Sequence, residues 1–157
     1  MKKLFTLLAL TISFSMNAQM SDNSANNNTA GSYAVAMGLL TTASGIVSTA
    51  MGERTTASGN YSTAMGLSTT ASGSTSTAMG SYTKASGSRS TAMGYSTTAS
   101  DYGSLVIGQY NSSGSSVTNI ATSFNTENTA FVIGNGTAND SRSDALTVLF
   151  DGTTTIA

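Results

Sequence analysis

A triplet, Ala-Met-Gly, returns every 14 residues through the middle of this chain, and the spacing never slips. It stands at Ala36-Met37-Gly38, Ala50-Met51-Gly52, Ala64-Met65-Gly66, Ala78-Met79-Gly80 and Ala92-Met93-Gly94, then degenerates to Val106-Ile107-Gly108. A second series runs seven residues out of phase, as Ala43-Ser44-Gly45, Ala57-Ser58-Gly59, Ala71-Ser72-Gly73 and Ala85-Ser86-Gly87, ending at Ala99-Ser100-Asp101. Exact self-similarity at a fixed short period means that one structural unit stacks on copies of itself. Glycine at every seventh position cannot sit inside a pair of helices. Seven residues do accommodate a short strand and a turn. Two strands and two turns make one coil, and coils about 4.8 Å apart pair each strand with its own copy, in parallel. The period therefore predicts an all-β fold: a parallel β roll over residues 31–108, followed by an irregular β segment over 109–157. The glycines Gly38, Gly45, Gly52, Gly59, Gly66, Gly73, Gly80, Gly87, Gly94 and Gly108 are expected to close the strands and to supply the positive φ of tight turns.

Alternation along each strand assigns the faces. In the Thr-Thr-Ala-Ser strand, Lys84 takes the place of the second threonine, so the column Thr42, Thr56, Thr70, Lys84, Thr98 should face water. Ala43, Ala57, Ala71, Ala85 and Ala99 then point inward, with Thr41, Thr55, Thr69, Thr83 and Thr97. The Ser-Thr-Ala-Met strand carries no charge in any copy, and its Ala and Met lie on opposite faces. That pattern reads as burial on both sides: one face meets the interior of the roll, and the other meets a partner. Ala36, Met37, Ala50, Met51, Ala64, Met65, Ala78, Met79, Ala92 and Met93 are the expected core and interface residues. The variable pairs between strands, with Glu53, Arg54, Arg89, Tyr61, Tyr82 and Tyr95, belong on exposed turns. A roll lined by alanine and threonine methyls buries little apolar area per coil, which points to self-association. The first coil and the segment after Gly108 are the candidate caps that a solenoid needs.

Composition limits the chemistry. The chain has no histidine and no cysteine. That removes the imidazole base, the thiolate nucleophile, the usual zinc ligands and any disulfide. Charged residues make up 8%, against about 25% in ordinary globular proteins. The seven acidic residues are dispersed and none repeats in a column, so a paired-carboxylate hydrolase is not supported. No enzyme activity, cofactor or metal is expected. Asn135 to Asp140 with Asp144 could present oxygens to Ca²⁺, but the spacing fits no EF-hand loop, and a turn with local side-chain hydrogen bonds is the reading adopted. A net charge of −1 argues against nucleic acid or anionic lipid as a partner, since those need a basic patch.

The amino terminus has the layout of an export signal. Lys2 and Lys3 precede an apolar run from Leu4 to Phe14, and small residues follow to a cleavage point near Ala18. The run is too short to span a bilayer, which takes roughly 20 residues. Residues 1–18 are thus expected to be a signal peptide and 19–30 a polar linker. The mature chain would hold four basic and seven acidic residues, a net of −3.

The repeat Ser-Thr-Ala-Met-Gly-x-x-Thr-Thr-Ala-Ser-Gly resembles the head repeat of the YadA-type trimeric autotransporter adhesins, Ser-Val-Ala-Ile-Gly-x-x-Ser-x-Ala-x-Gly. Ala34-Val35-Ala36-Met37-Gly38 and Ser104-Leu105-Val106-Ile107-Gly108 match best; in the middle copies Thr and Met replace the family's Val and Ile. The resemblance implies a left-handed roll, a homotrimer, a location at the cell surface or outer membrane or outside the cell, and attachment to matrix, cells or surfaces. It implies no membrane contact by the head itself. The family's neck, stalk and barrel are not found in this sequence, and its last residues read as a strand cut short, so the native chain is expected to continue. Residues 130–148 also resemble head segments of bacterial surface and fibre proteins, some of which end in a self-cleaving trimerisation chaperone. Two other readings follow: a fibre shaft of that kind, and an ice-binding solenoid whose rank would be Thr42, Thr56, Thr70 and Thr98.

Overall fold

The computed structural model describes residues 28–112 and 121–157; the signal-like segment and all but the last residues of the polar linker lie outside them. The described residues form fifteen strands in two sheets and no helix. Numbered in chain order, the wider sheet holds β2 (Val35–Leu39), β4 (Thr49–Glu53), β6 (Thr63–Leu67), β8 (Thr77–Ser81), β10 (Thr91–Tyr95) and β12 (Leu105–Gln109). It continues through β13 (Thr129–Asn135), β14 (Asp144–Leu149) and β15 (Thr154–Ile156). The narrower sheet holds β1 (Asn28–Thr29), β3 (Thr42–Ala43), β5 (Thr56–Ala57), β7 (Thr70–Ala71), β9 (Lys84–Ala85) and β11 (Thr98–Ala99). Repeated strands pair in parallel and in perfect register, Ala50 on Ala64, Met51 on Met65 and Gly52 on Gly66. The 14-residue coil of the expected β roll is therefore the building unit.

The interior is a ladder of small side chains. Ala36, Ala50, Ala64, Ala78 and Ala92 of the wide sheet face Ala43, Ala57, Ala71, Ala85 and Ala99 of the narrow one, all essentially inaccessible. Thr41, Thr55, Thr69, Thr83 and Thr97 fill the flank between the sheets, and so do Ser48, Ser62, Ser76, Ser90 and Ser104. Ser48 and Ser90 each donate their hydroxyl at 2.7 Å to the carbonyl three residues back, so the buried oxygen is satisfied within its own turn. Larger side chains enter only at the far end, where Val106 and Val132 continue the alanine column.

The glycines meet the expectation in part: Gly38, Gly52, Gly66, Gly80, Gly94 and Gly108 have the positive φ, but not in the turns. Gly38, Gly52, Gly66, Gly80 and Gly94 lie inside the long strands, not after them, with φ between 117° and 120°. Gly45, Gly59, Gly73 and Gly87 follow the short strands but have no positive φ. Their reason is steric: a Cβ on Gly59 would run into the carbonyl oxygen of Gly73 in the next coil. The left-handed residues of the turns are instead non-glycine, including Val47, Arg54, Tyr61, Ser68, Tyr82 and Arg89 at φ 52° to 60°. Each is held by its own N–H, which donates to a carbonyl of the preceding coil: Arg54 to Leu39, Tyr61 to Ile46 and Ser68 to Glu53, all at 2.8 Å. Stacking over-determines the backbone there, and strain of about 1–3 kcal/mol persists under such constraint.

The roll ends through single residues. Asn111 occupies the place after Thr41, Thr55, Thr69, Thr83 and Thr97, and it is completely buried. Its side-chain amide accepts from the Thr98 N–H at 2.7 Å and donates to the Thr98 carbonyl at 3.0 Å. A side-chain oxygen thus takes the Thr98 N–H, where in earlier coils a backbone carbonyl takes the equivalent N–H. Asp101, buried where earlier coils carry glycine, accepts the Thr129 N–H at 2.9 Å and so anchors the start of β13. β13 stacks in parallel on β12, Val106 on Val132 and Gly108 on Gly134, as a further rung of the long strand. β14 and β15 then run antiparallel, which ends the parallel stacking. Arg142 ties this cap back to the roll, donating to the Ser96 carbonyl at 2.9 Å and the Asn111 carbonyl at 3.2 Å.

Asn111→Ala leaves both polar groups of Thr98 without a partner, at about 1–3 kcal/mol each. We expect a loss of about 2–4 kcal/mol in thermal or denaturant unfolding, with the Thr98 amide the first of its column to exchange in deuterium. Wild-type protection of that amide in the variant would refute the capping role.

Candidate functional surface: the outward face of the wide sheet

The residues that alternate with the buried alanines form the most regular surface of the molecule. Thr49 and Met51, Thr63 and Met65, Thr77 and Met79, and Thr91 and Met93 point away from the roll in register. Val35 and Met37 continue the two columns at one end, Leu105 and Ile107 at the other, and Phe131 and Ile133 beyond them. No charge interrupts either column. The methionines are half-buried by their own neighbours, reaching 36% exposure at Met93. The sheet therefore turns one face of alanine inward and one face of threonine, methionine and aliphatic side chains outward. Methionine is flexible and polarizable, suited to packing against an uneven partner surface.

The narrow sheet is a different surface. Thr42, Thr56, Thr70 and Thr98 are half-buried and Lys84 is exposed, so the column faces outward but is less open than alternation predicts. Its strands are two residues wide, and Lys84 breaks the threonine rank. A flat, continuous threonine face of the kind ice recognition requires is not formed there.

The two turn edges carry the charges and rings. Arg54, Arg89, Tyr61, Tyr82 and Tyr95 are exposed as expected, while Glu53 is half-buried beside Arg54. Tyr82, Tyr95 and Tyr110 stack edge to face at centroid spacings of 5.9 and 5.2 Å, and Arg142 lies 5.8 Å over Tyr110. This aromatic ladder crosses the period diagonally, since Tyr95 stands one column away from Tyr82 and Tyr110; sequence reasoning found two of its members and missed the third. A hydrogen bond to Tyr110, and the charge that Tyr110 would carry, hold the Tyr95 phenol above its ordinary value.

The oxygen-rich stretch in the cap has its side chains engaged. Asn135 Oδ1 accepts from the Ser143 hydroxyl at 2.7 Å, and Asn139 Oδ1 accepts from Arg142 at 2.8 Å. Asp144 accepts the Ser112 N–H at 2.9 Å; partial burial pushes its carboxyl upward, and that bond pulls it partway back. Among the described residues no three acidic side chains converge on one point.

What these surfaces can do is bind. Neither the Thr column nor the Met column carries a titratable group, and the chemistry available along them is packing.

No curated protein matches the chain. The YadA head domain repeat matches it in overlapping double copies at residues 30–55, 43–69, 57–83, 71–97 and 85–111, together just over half of its 157 residues. The matched copies are the stacked coils described above, and the match ends at Asn111, where the side-chain cap closes the short sheet. The chain belongs to the family of YadA head domain repeats.

Proposed function

We propose that this chain is the head module of a non-catalytic bacterial surface adhesin, exported to the cell exterior, and that it works as a homotrimer attaching to matrix, cells or surfaces. The observation that carries the reading is the uncharged, in-register Thr-Met face. A sheet face of that extent is an interaction site in a water-soluble protein, and covering it with further copies of the same chain places like columns against like. The number three follows the family, in which rolls of this type assemble side by side. Export accords with the signal-like segment at the amino terminus. In such an assembly the Thr-Met faces turn inward and the turn edges, with their tyrosines and arginines, remain outside to meet the ligand.

The test is retention of the purified, oligomeric chain on a panel of immobilised matrix proteins, glycans and abiotic surfaces. We expect saturable binding to at least one of them. Uniform failure across the panel by a folded trimer would remove the adhesive reading.

A further inference from the structure

One turn edge holds a cleft that the repeat alone does not create. Its volume is about 180 Å³, and it is lined by Ser74, Thr75, Ser88, Arg89, Tyr102 and Thr122. Three consecutive turns supply the floor: Ser74 and Thr75, Ser88 and Arg89, then Tyr102. The wall is Thr122, whose neighbour Ala121 accepts the Ser88 N–H on its carbonyl at 2.7 Å and so brings Thr122 to the rim.

The lining has a consistent chemistry. Ser74, Thr75, Ser88 and Thr122 offer hydroxyls, and none of the six residues is acidic. The Arg89 guanidinium lies 5.1 Å over the Tyr102 ring. Among the described residues the single ion pair is Arg54 with Glu53, so Arg89 has no carboxylate within 4.0 Å and its fork of donors is open to a ligand. An aromatic ring beside a cation and a set of hydroxyls suits a sugar ring that carries an anion: apolar C–H faces meet the ring, hydroxyls exchange hydrogen bonds, and the guanidinium takes the charge in bidentate fashion. The volume is below the roughly 300–1,000 Å³ of pockets for drug-sized ligands, which limits the occupant to one small ring of a longer chain.

We infer that the cleft between Arg89, Tyr102 and Thr122 binds an anionic sugar residue, carboxylated or sulfated, within an extended polysaccharide. The inference rests on the adhesive reading and deepens it by naming a ligand class and a place. The protein as a whole is net negative. Retention on a polyanion therefore works against overall repulsion and reports a local site.

The full chain is passed over polygalacturonate, dextran sulfate and neutral dextran. We expect retention on one or both polyanions and none on dextran, with the tighter polyanion identifying the anion. Arg89→Gln should weaken that retention about tenfold. Tyr102→Leu should weaken it several-fold. Lys84→Gln, which removes an exposed cation from the narrow sheet, should leave it unchanged. Equal retention on dextran, full retention by Arg89→Gln, or an equal loss in Lys84→Gln would each overturn the site. Arg89 is exposed on a turn, and an unchanged melting curve for Arg89→Gln keeps the comparison about binding. If the adhesive reading itself fails, the wild type binds nothing on the wider panel; if only this site fails, panel binding survives and is the same in Arg89→Gln.

Discussion

Gly66→Ala is expected to destabilise the roll by about 2–5 kcal/mol, a large part of the roughly 5–15 kcal/mol that holds a domain together. Two effects add. At φ 120° the residue sits in backbone space that a Cβ makes costly, by about 1–2 kcal/mol on the scale of left-handed conformations. The new methyl also meets the carbonyl oxygen of Gly80 in the next coil, well inside van der Waals contact, and overpacking of that kind costs about 1–3 kcal/mol more. Neither coil can move aside without breaking register with its other neighbour. Gly59→Ala has the same kind of overlap, with the Gly73 carbonyl, but no positive φ, so it should cost about 1–2 kcal/mol less. Denaturant unfolding of the two variants beside wild type measures both. A midpoint for Gly66→Ala within 1 kcal/mol of wild type would show that the ladder of in-strand glycines is dispensable.

The second large effect concerns assembly. Met65→Asp puts a carboxylate in the middle of the outward face, half-buried by its neighbours in one chain and fully covered in the proposed trimer. An unpaired buried charge costs about 3–5 kcal/mol, and the trimer would hold three of them at one level. We expect the variant to sediment as a monomer or to lose its cooperative melt. Thr70→Asp lies in the column where Lys84 is already exposed, and we expect it to remain trimeric with a change below about 0.5–1 kcal/mol. Equal losses for the two would mean that the wide sheet's outer face is not the interface.

The architecture could be read from the sequence because a period repeats its environment. If one Ala-Met-Gly faces a given way, in-register stacking makes every copy do so, and five copies average out local accident. In the structure Ala64 is buried and Lys84 exposed, as alternation places them. The same logic misplaced the glycines, since a period locates a residue along the coil without saying whether the chain turns before or after it. In the structure Gly66 belongs to the strand, and the turn's left-handed residue is Ser68. The rung at β13 was hidden for a related reason: Val-Ile-Gly recurs at Val132, but 26 residues after Val106 instead of 14, outside the register that exposed the rest. The place of the cap, after Gly108, could be read, but its contacts could not. Asp101, Asn111 and Arg142 each occur once in their roles, and Arg142 acts on a carbonyl 46 residues away. A unique contact leaves no rhythm to detect. The same holds for the cleft, whose wall is tied to the roll by the hydrogen bond from the Ser88 N–H to the Ala121 carbonyl.

The perfect register of the coils has one more consequence. Within the two sheets each middle coil pairs with the coil before and the coil after, and those two neighbours look alike. Removing or duplicating 14 residues between Gly38 and Gly94 therefore restores every pairing on either side of the join. The gene can change the height of the head by whole steps of about 4.8 Å while the closing residues stay as they are. Reach becomes a heritable quantity adjustable by simple copy-number slippage, independent of whatever the edges have come to recognise.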